Sequence, residues 1–104
     1  MKFVLFNDGR PGLLRDGGVV DISEVVATLS ARSGQEAMEA IISHIDELRV
    51  DLSRQLEEGV SVPLANVSLL PPLPRPRKIL CMGGNFREFG AREPSPMWGF
   101  LKSP

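Results

Sequence analysis

The hydrophobic positions change their spacing along the chain. Between Lys2 and Asp21 they form short runs, KFVLF and GLLRDGGVVD, separated by Asn, Asp and Gly. These three residue types tolerate the backbone conformations of tight turns. The pattern therefore predicts a small antiparallel β-meander over this segment.

From Ile22 onward the apolar residues recur every three or four positions, which is the spacing of one helix face. Asp21 and Glu24 have the spacing of a capping-box variant, and the first helix is expected to end at RSG. A longer amphipathic helix is predicted from about Gln35 to Glu58. Its apolar face comprises Met38, Ile41, Ile42, Ile45, Leu48, Leu52 and Leu56.

Prolines dominate the next segment. Five of them lie between Pro63 and Pro76, which disfavours a helix and predicts an extended, stiff connector. KILCM then has the composition of a short buried strand. The final MWGFL carries several large apolar side chains, so we expect further polypeptide or a binding partner to cover them.

Composition narrows the class of protein. The chain has 104 residues, 42% hydrophobic and 24% charged, with a formal net charge of −1. This balance gives no electrostatic reason to expect nucleic acid or an anionic membrane as a partner. Cys81 is the single cysteine, so no internal disulfide forms, and no apolar run reaches the ~18 residues of a membrane span. We expect a soluble, cytoplasmic protein.

Two chemically suggestive residues have plain structural interpretations. His44 is the only histidine, and no residue at metal-ligand spacing accompanies it in the predicted helix. We therefore interpret it as a surface residue. Cys81 stands in the predicted KILCM strand without a neighbour that would activate its thiolate, which favours a small buried side chain.

The strongest candidate for a site is the loop after KILCM, which follows a pair of glycines. Loops at strand ends commonly carry binding groups because a rigid scaffold positions them. A solvated, self-paired cluster of charges is equally compatible with the residue types alone. The polar residues of the loop are Asn85, Arg87, Glu88, Arg92 and Glu93.

RKILCMGGNFREFGAREPSPMWGFLKSP resembles the start of the catalytic module of the fumarylacetoacetate hydrolase family. There a K-I-(L/I)-C-x-G-x-N-Y strand precedes a short lid segment with His and Glu, followed by F-x-K or F-L-K. The first 23 residues and LLPPLPRPRKIL resemble the small N-terminal domain and linker of bacterial members. The implied fold is α+β, with an N-terminal domain of meander and amphipathic helices over 1–70 and a proline-rich linker over 71–77. Residues 78–104 would be the first strand and lid segment of a β-roll catalytic domain that is otherwise absent.

The resemblance also implies a chemistry. The family comprises metal-dependent hydrolases, decarboxylases, isomerases and hydratases of small dioxo or enol acids, typically cleaving C–C bonds in aromatic catabolism. A divalent metal such as Mg²⁺ or Mn²⁺ polarises the substrate oxygens, and a His–Glu pair moves a proton or activates water. Members are commonly dimers through the catalytic module, so we expect a dimer only with the complete catalytic domain.

Matching the motif residue by residue gives both agreements and departures. Asn85 matches the family asparagine, and Lys102 matches the lysine near the substrate, so both are candidate substrate contacts. The family histidine falls on Phe89, whose ring has no exchangeable proton and cannot act as a base. The family glutamate falls on Arg92, which leaves the adjacent Glu93 as the candidate catalytic acid.

These departures predict a truncated family member. The family's metal-binding carboxylates lie downstream of the F-L-K segment, so we expect no metal site in this chain and no activity from it alone. The alternative is a non-catalytic interaction module that docks a partner through PPLPRPR or MWGFL. A third interpretation is a complete protein in which Phe89 marks altered or lost chemistry.

Overall fold

The computed structural model describes residues 1–84, 96 and 98–104. The chain divides into two compact units, Met1–Pro74 and Arg75–Pro104. The first contains five strands and three α-helices, and the described part of the second is a two-stranded hairpin. This mixture of helix and strand agrees with the coarse features of the expected α+β architecture. None of the helices in the described residues is both long and apolar enough to span a bilayer.

The N-terminal meander that the hydrophobic pattern predicts is confirmed. Its strands pair antiparallel in sequence order. Both connecting turns contain positive-φ residues, with Asn7 and Gly9 in the first turn and Asp16 and Gly17 in the second. The strands are β1 (Phe3–Phe6), β2 (Arg10–Arg15) and β3 (Gly18–Asp21).

Two short strands extend the meander to a five-stranded sheet of order β4-β3-β2-β1-β5. They are β4 (Ser61–Pro63) and β5 (Leu69–Leu70). The segment between them passes from one edge of the sheet to the other through a 3₁₀ turn at Leu64–Asn66. The expected extended connector therefore does not begin at Pro63. An edge strand tolerates this proline because its outer side needs no backbone donor.

The helices differ from the prediction at their ends. The capping box expected at Asp21 and Glu24 is wrong, because the N-cap of α1 is Ile22 and no side chain caps it. The Asp21 carboxylate instead accepts a hydrogen bond from the Ser23 amide at 2.8 Å. The helices are α1 (Ser23–Val26), continued by a 3₁₀ turn at Ala27–Leu29, α2 (Gly34–Ser43) and α3 (Ile45–Glu58).

The single long helix predicted from about Gln35 to Glu58 is broken at His44, which has φ −115° and ψ 21°. A straight helix over that range would be about 36 Å long. The meander strands have four to six residues and span about 13–20 Å. The break therefore allows both helices to pack within the area of a short sheet.

The core lies between the sheet and these helices. Most of the predicted apolar face contributes to it, but Ile42 does not, since it is 59% exposed. Ile45 and Leu56 pack against the core while remaining partly exposed. The buried cluster consists of Leu5, Leu13, Ile22, Val26, Met38, Ile41, Leu48 and Leu52.

The second unit contains β6 (Ile79–Gly83) and β7 (Trp98–Lys102), which pair antiparallel. The strand predicted at KILCM is confirmed, but its predicted burial is wrong because Leu80 is 72% exposed. The exposure of MWGFL is confirmed for the described residues of that segment, which belong to β7. Its pairing with β6 joins segments that are distant in sequence, and hydrophobic spacing alone does not predict such pairing.

Candidate functional site

The sequence-predicted site is only partly described by the structure. Asn85, Phe89 and Glu93 lie outside the described residues. Lys102 is the last residue of β7, where it is exposed and paired with Ile79. Of the two predicted substrate contacts, Asn85 and Lys102, only Lys102 lies among the described residues.

The strand register separates Lys102 from the start of the candidate loop. Gly83, which precedes the loop, pairs with Trp98 at one end of the hairpin, and Lys102 lies at the other end. Four residues of extended strand correspond to about 13 Å. Lys102 therefore does not lie beside the glycine pair, and a substrate that contacts both ends would have to span the hairpin.

Gly83 has a packing role that its sequence context does not reveal. A Cβ atom there would overlap the six-membered ring of Trp98. The Trp98 ring lies 5.5 Å from the Phe100 ring, centroid to centroid, and is tilted by 30°. The sequence alone shows the glycine pair only as the residues before the candidate loop, yet its first member is required for this aromatic packing. Gly84 is the member with positive φ, at 65°.

The described part of the second unit is basic. It carries four cationic side chains and no Asp or Glu. Lys78 directly precedes Ile79, the partner of Lys102, so two of the four cations flank the open end of the hairpin. Two lysine ammonium groups at this end favour the binding of a carboxylate or phosphate group. The four cations are Arg75, Arg77, Lys78 and Lys102.

The first unit has a groove beside the N-terminus of α2, lined in part by Arg10, Arg32 and Ser33. Two of its polar side chains already have partners within the chain, whereas the Ser23 hydroxyl, which also lines the groove, is buried without a hydrogen-bond partner. Arg10 forms an ion pair with Asp21 at 2.9 Å, and the Ser33 hydroxyl accepts a hydrogen bond from the Glu36 amide at 3.2 Å. The polar groups of Arg10 and Ser33 are therefore already satisfied within the chain.

His44 and Cys81, the single histidine and the single cysteine, both occupy structural positions in the described fold. His44 joins α2 to α3, and its Nδ1 lies 3.2 Å from a carboxylate oxygen of Glu47 on the protein surface. Its interpretation as a surface residue is confirmed. Cys81 is a free, half-buried cysteine in β6, opposite Phe100.

The described residues do not provide a metal centre. No group of three or more His, Cys, Asp or Glu side chains among them lies close enough together to hold a metal ion. The described part of the chain therefore does not fit the divalent metal that the resemblance implies for the full-length family.

Comparison with known proteins defines the class to which this fold is related. No family model matches the chain. The maleylpyruvate hydrolase of Aquipseudomonas alcaligenes is 29% identical over 87 residues, which represent 83% of this chain and 30% of that protein. The two sequences are therefore similar over most of this chain.

Solved structures extend the likeness. The structure of maleylpyruvate hydrolase from Sphingobium sp. SYK-6 in complex with manganese(II) ion and pyruvate matches 97% of this chain, with a TM-score of 0.75 and 28% identity. The match covers 36% of that longer chain. Another structure of maleylpyruvate hydrolase from Sphingobium sp. SYK-6 matches 77% of this chain and 31% of its own, with a TM-score of 0.67 and 30% identity.

These matches in sequence and structure confirm the resemblance to the fumarylacetoacetate hydrolase family. The chain is similar to maleylpyruvate hydrolases over most of its own length. It spans about a third of the length of the relatives it matches.

Proposed function

We propose that this chain is the N-terminal part of a metal-dependent hydrolase that cleaves a C–C bond in a small dioxo acid of the maleylpyruvate type. The observation that carries this proposal is the match of 97% of the chain, at a TM-score of 0.75, to a maleylpyruvate hydrolase bound to manganese and pyruvate. Hydrolysis of an acylpyruvate adds water across a C–C bond and releases a carboxylic acid and pyruvate. The ligand of the solved relative is thus of the chemical type that such a reaction produces.

Within that enzyme, this chain would supply the N-terminal domain and one strand pair at the start of the catalytic domain. We assign the amide of Asn85 and the ammonium of Lys102 to substrate contacts. An ammonium at the hairpin end binds a substrate carboxylate by a charge-assisted hydrogen bond. Glu93 is the candidate proton-transfer group of the loop. The basic character of the described second unit supports an anionic substrate.

This chain alone is proposed to be inactive. Phe89 stands at the position of the family histidine, and a phenyl ring neither accepts nor donates a proton. In addition, the described residues contain no cluster of metal ligands. The metal of the complete enzyme would therefore be held by residues outside the described part of this chain.

The first test assays the purified chain on acylpyruvates with Mg²⁺ or Mn²⁺. We expect no metal-dependent turnover, whereas a full-length maleylpyruvate hydrolase in the same assay provides the positive control. Turnover that requires metal and disappears in the Glu93→Gln variant would contradict the proposed inactivity.

A chimera tests the substrate class. This chain replaces the matching region of the Sphingobium enzyme, once with Phe89 retained and once with Phe89→His. We expect the histidine version to hydrolyse maleylpyruvate at least about 10²-fold faster, the lower range for general acid–base catalysis. If both versions fold and bind metal but neither hydrolyses maleylpyruvate, the assigned substrate is wrong. If both are equally active, the role assigned to position 89 is wrong.

A further inference from the structure

The chain contains two Asp–Gly steps, Asp8–Gly9 and Asp16–Gly17, one in each turn of the β1–β3 meander. Such a step is chemically labile because the amide nitrogen after the aspartate can attack the side-chain carboxyl carbon, and glycine has no side chain to hinder the approach. Both aspartates are exposed, and neither carboxylate has a hydrogen bond or an ion pair within the described residues. The two steps are distinguished by how the backbone around them is held.

The Asp8–Gly9 step is held in place by its surroundings. The Gly9 amide donates a hydrogen bond to the Phe6 carbonyl at 3.1 Å. Gly9 also packs against Gly34 at the start of α2, so closely that a Cβ atom on Gly34 would overlap the Gly9 carbonyl oxygen. The nitrogen that would act as the nucleophile is therefore engaged, and reaction at Asp8 first requires this hydrogen bond to break.

The Asp16–Gly17 step has no comparable restraint. The two residues form the whole turn between β2 and β3, with positive φ at both positions, 46° and 79°, as in a type I′ turn. The Gly17 amide donates to no acceptor in the described part of the chain. Gly17 is exposed, and a Cβ atom built on it would have no atom within 4 Å. The peptide group that joins the two residues can therefore rotate without losing a hydrogen bond or a packing contact.

We propose that Asp16 is a site of spontaneous conversion to isoaspartate, whereas the fold protects Asp8. The Gly17 nitrogen forms a bond to the Asp16 carboxyl carbon, and the hydroxyl of that carboxyl leaves with the amide proton as water. The resulting five-membered succinimide then takes up one water. Opening at the side-chain carbonyl restores aspartate, and opening at the main-chain carbonyl leaves the chain running through the side chain. One water leaves and one enters, so the mass does not change.

Conversion of Asp16 would disturb contacts beyond the turn itself, because it inserts an additional atom into the main chain. The Gly17 carbonyl accepts a hydrogen bond from the Leu64 amide at 3.0 Å, which attaches the turn to the segment that crosses the sheet. Arg15, the residue before the turn, donates three hydrogen bonds to carbonyl oxygens at the end of α3. The isoaspartate form should therefore unfold at a lower urea concentration than the unmodified chain. An unchanged midpoint would contradict this coupling.

The test incubates the full chain at body temperature and neutral pH over several weeks and then digests it with endoproteinase Asp-N. This protease cuts before aspartate but not before isoaspartate. We expect the cut at Asp16 to disappear, which leaves residues 8–20 as one peptide. The cut at Asp8 should persist roughly two- to tenfold longer, the factor that corresponds to the net free energy of one hydrogen bond. Equal loss of the two cuts, or loss of neither, would overturn the proposal.

The unfolded chain is the control for intrinsic reactivity. In guanidinium chloride neither turn is formed, and the two steps are the same dipeptide, so both cuts should disappear at similar rates. A preference for Asp16 that persists unchanged in the unfolded chain would show that the neighbouring sequence selects the site and that the fold does not. The proposal is independent of the proposed hydrolase function, because the reaction involves neither metal nor substrate.

Matched asparagine variants provide a second measurement. Asn tolerates the same turn conformations as Asp, and an Asn–Gly step forms the same succinimide faster because ammonia leaves in place of water. Each conversion changes the mass, so mass spectrometry follows it on the intact protein. We expect Asp16→Asn to convert faster than Asp8→Asn, by the factor that separates the two aspartates. Equal rates in the two folded variants would contradict the protection of Asp8 by the Gly9 hydrogen bond.

Discussion

Arg15 illustrates how one side chain joins distant parts of the fold. Its guanidinium donates hydrogen bonds to the carbonyl oxygens of Leu56, Glu57 and Gly59 at 2.6, 2.9 and 2.7 Å. The last carbonyls of a helix have no partner within the helix, and the helix dipole favours a cation there. Arg15 thus caps α3 from the end of β2. The sequence showed it only as a polar residue before a turn.

Replacing Arg15 by Ala should lower the free energy of unfolding by about 1.5–3 kcal/mol, the usual value for hydrogen bonds to a charged group. Arg15→Lys should lose less, because an ammonium keeps the charge but reaches fewer carbonyls. Urea unfolding measures both changes.

Arg54→Ala serves as the control for the loss of an arginine. Arg54 pairs with Asp51 at 2.7 Å on the exposed side of α3, and such surface pairs are worth about 0–1 kcal/mol. Equal losses at Arg15 and Arg54 would show that the three carbonyl bonds add nothing to stability.

At the scale of single residues, the sequence predicted structural roles better than site roles. The interpretation of His44 as a surface residue is confirmed, because one histidine without spaced partners offers no site chemistry. The roles assigned to Asn85, Phe89 and Glu93 rest on the family resemblance, and these residues lie outside the described ones. The position of Lys102 at the far end of the hairpin depends on strand register, which residue type does not encode.

At the scale of elements, α2 begins with a side-chain cap. The Ser33 hydroxyl accepts a hydrogen bond from the Glu36 amide at 3.2 Å, and the Glu36 carboxylate accepts one from the Arg32 amide at 2.8 Å. This is a variant of the reciprocal capping box. The sequence pattern placed the box one helix earlier, at Asp21, because S-x-x-E and D-x-x-E are both compatible with the motif.

Ser33→Ala should cost about 1 kcal/mol of stability, since it leaves the Glu36 amide without its cap. Ser43→Ala is the matched control, because the Ser43 hydroxyl bonds back to the Glu39 carbonyl at the other end of the same helix. That surface change should stay within about 0.5 kcal/mol. Urea unfolding compares the two variants. A loss at Ser43 equal to that at Ser33 would contradict the capping role.

The elements that the sequence predicted are those with local causes. The β1–β3 meander follows from alternating apolar runs and turn residues that are adjacent in the chain. The edge strands do not, because Val62 pairs with Val19 and Leu70 pairs with Leu5 across long stretches of sequence that include the helices. The break at His44 likewise depends on the size of the sheet beneath the helices rather than on apolar spacing.

At the scale of the whole molecule, the two units differ in how they bury apolar surface. Every buried hydrophobic residue of the described chain lies in Met1–Pro74. The hairpin instead exposes apolar side chains on both faces, as expected for strands that form part of a larger sheet. The first unit therefore has a core of its own, and the described hairpin does not.

This difference predicts that the first unit folds without the hairpin. Arg77 and Lys78 are exposed residues near the start of the second unit, before β6, whereas the bond after Arg75 precedes a proline and resists trypsin. Brief trypsin treatment should therefore release a fragment that ends at Arg77 or Lys78, identified by its mass. Its far-ultraviolet circular dichroism should retain the helical signal, and its urea midpoint should match that of the intact chain because the core is unchanged.

Digestion in urea, where Arg49 and Arg54 also become cleavable, provides the unfolded control. A fragment that is unfolded, or that is cut as readily at Arg49 as at Arg77, would show that the core of Met1–Pro74 needs the rest of the chain.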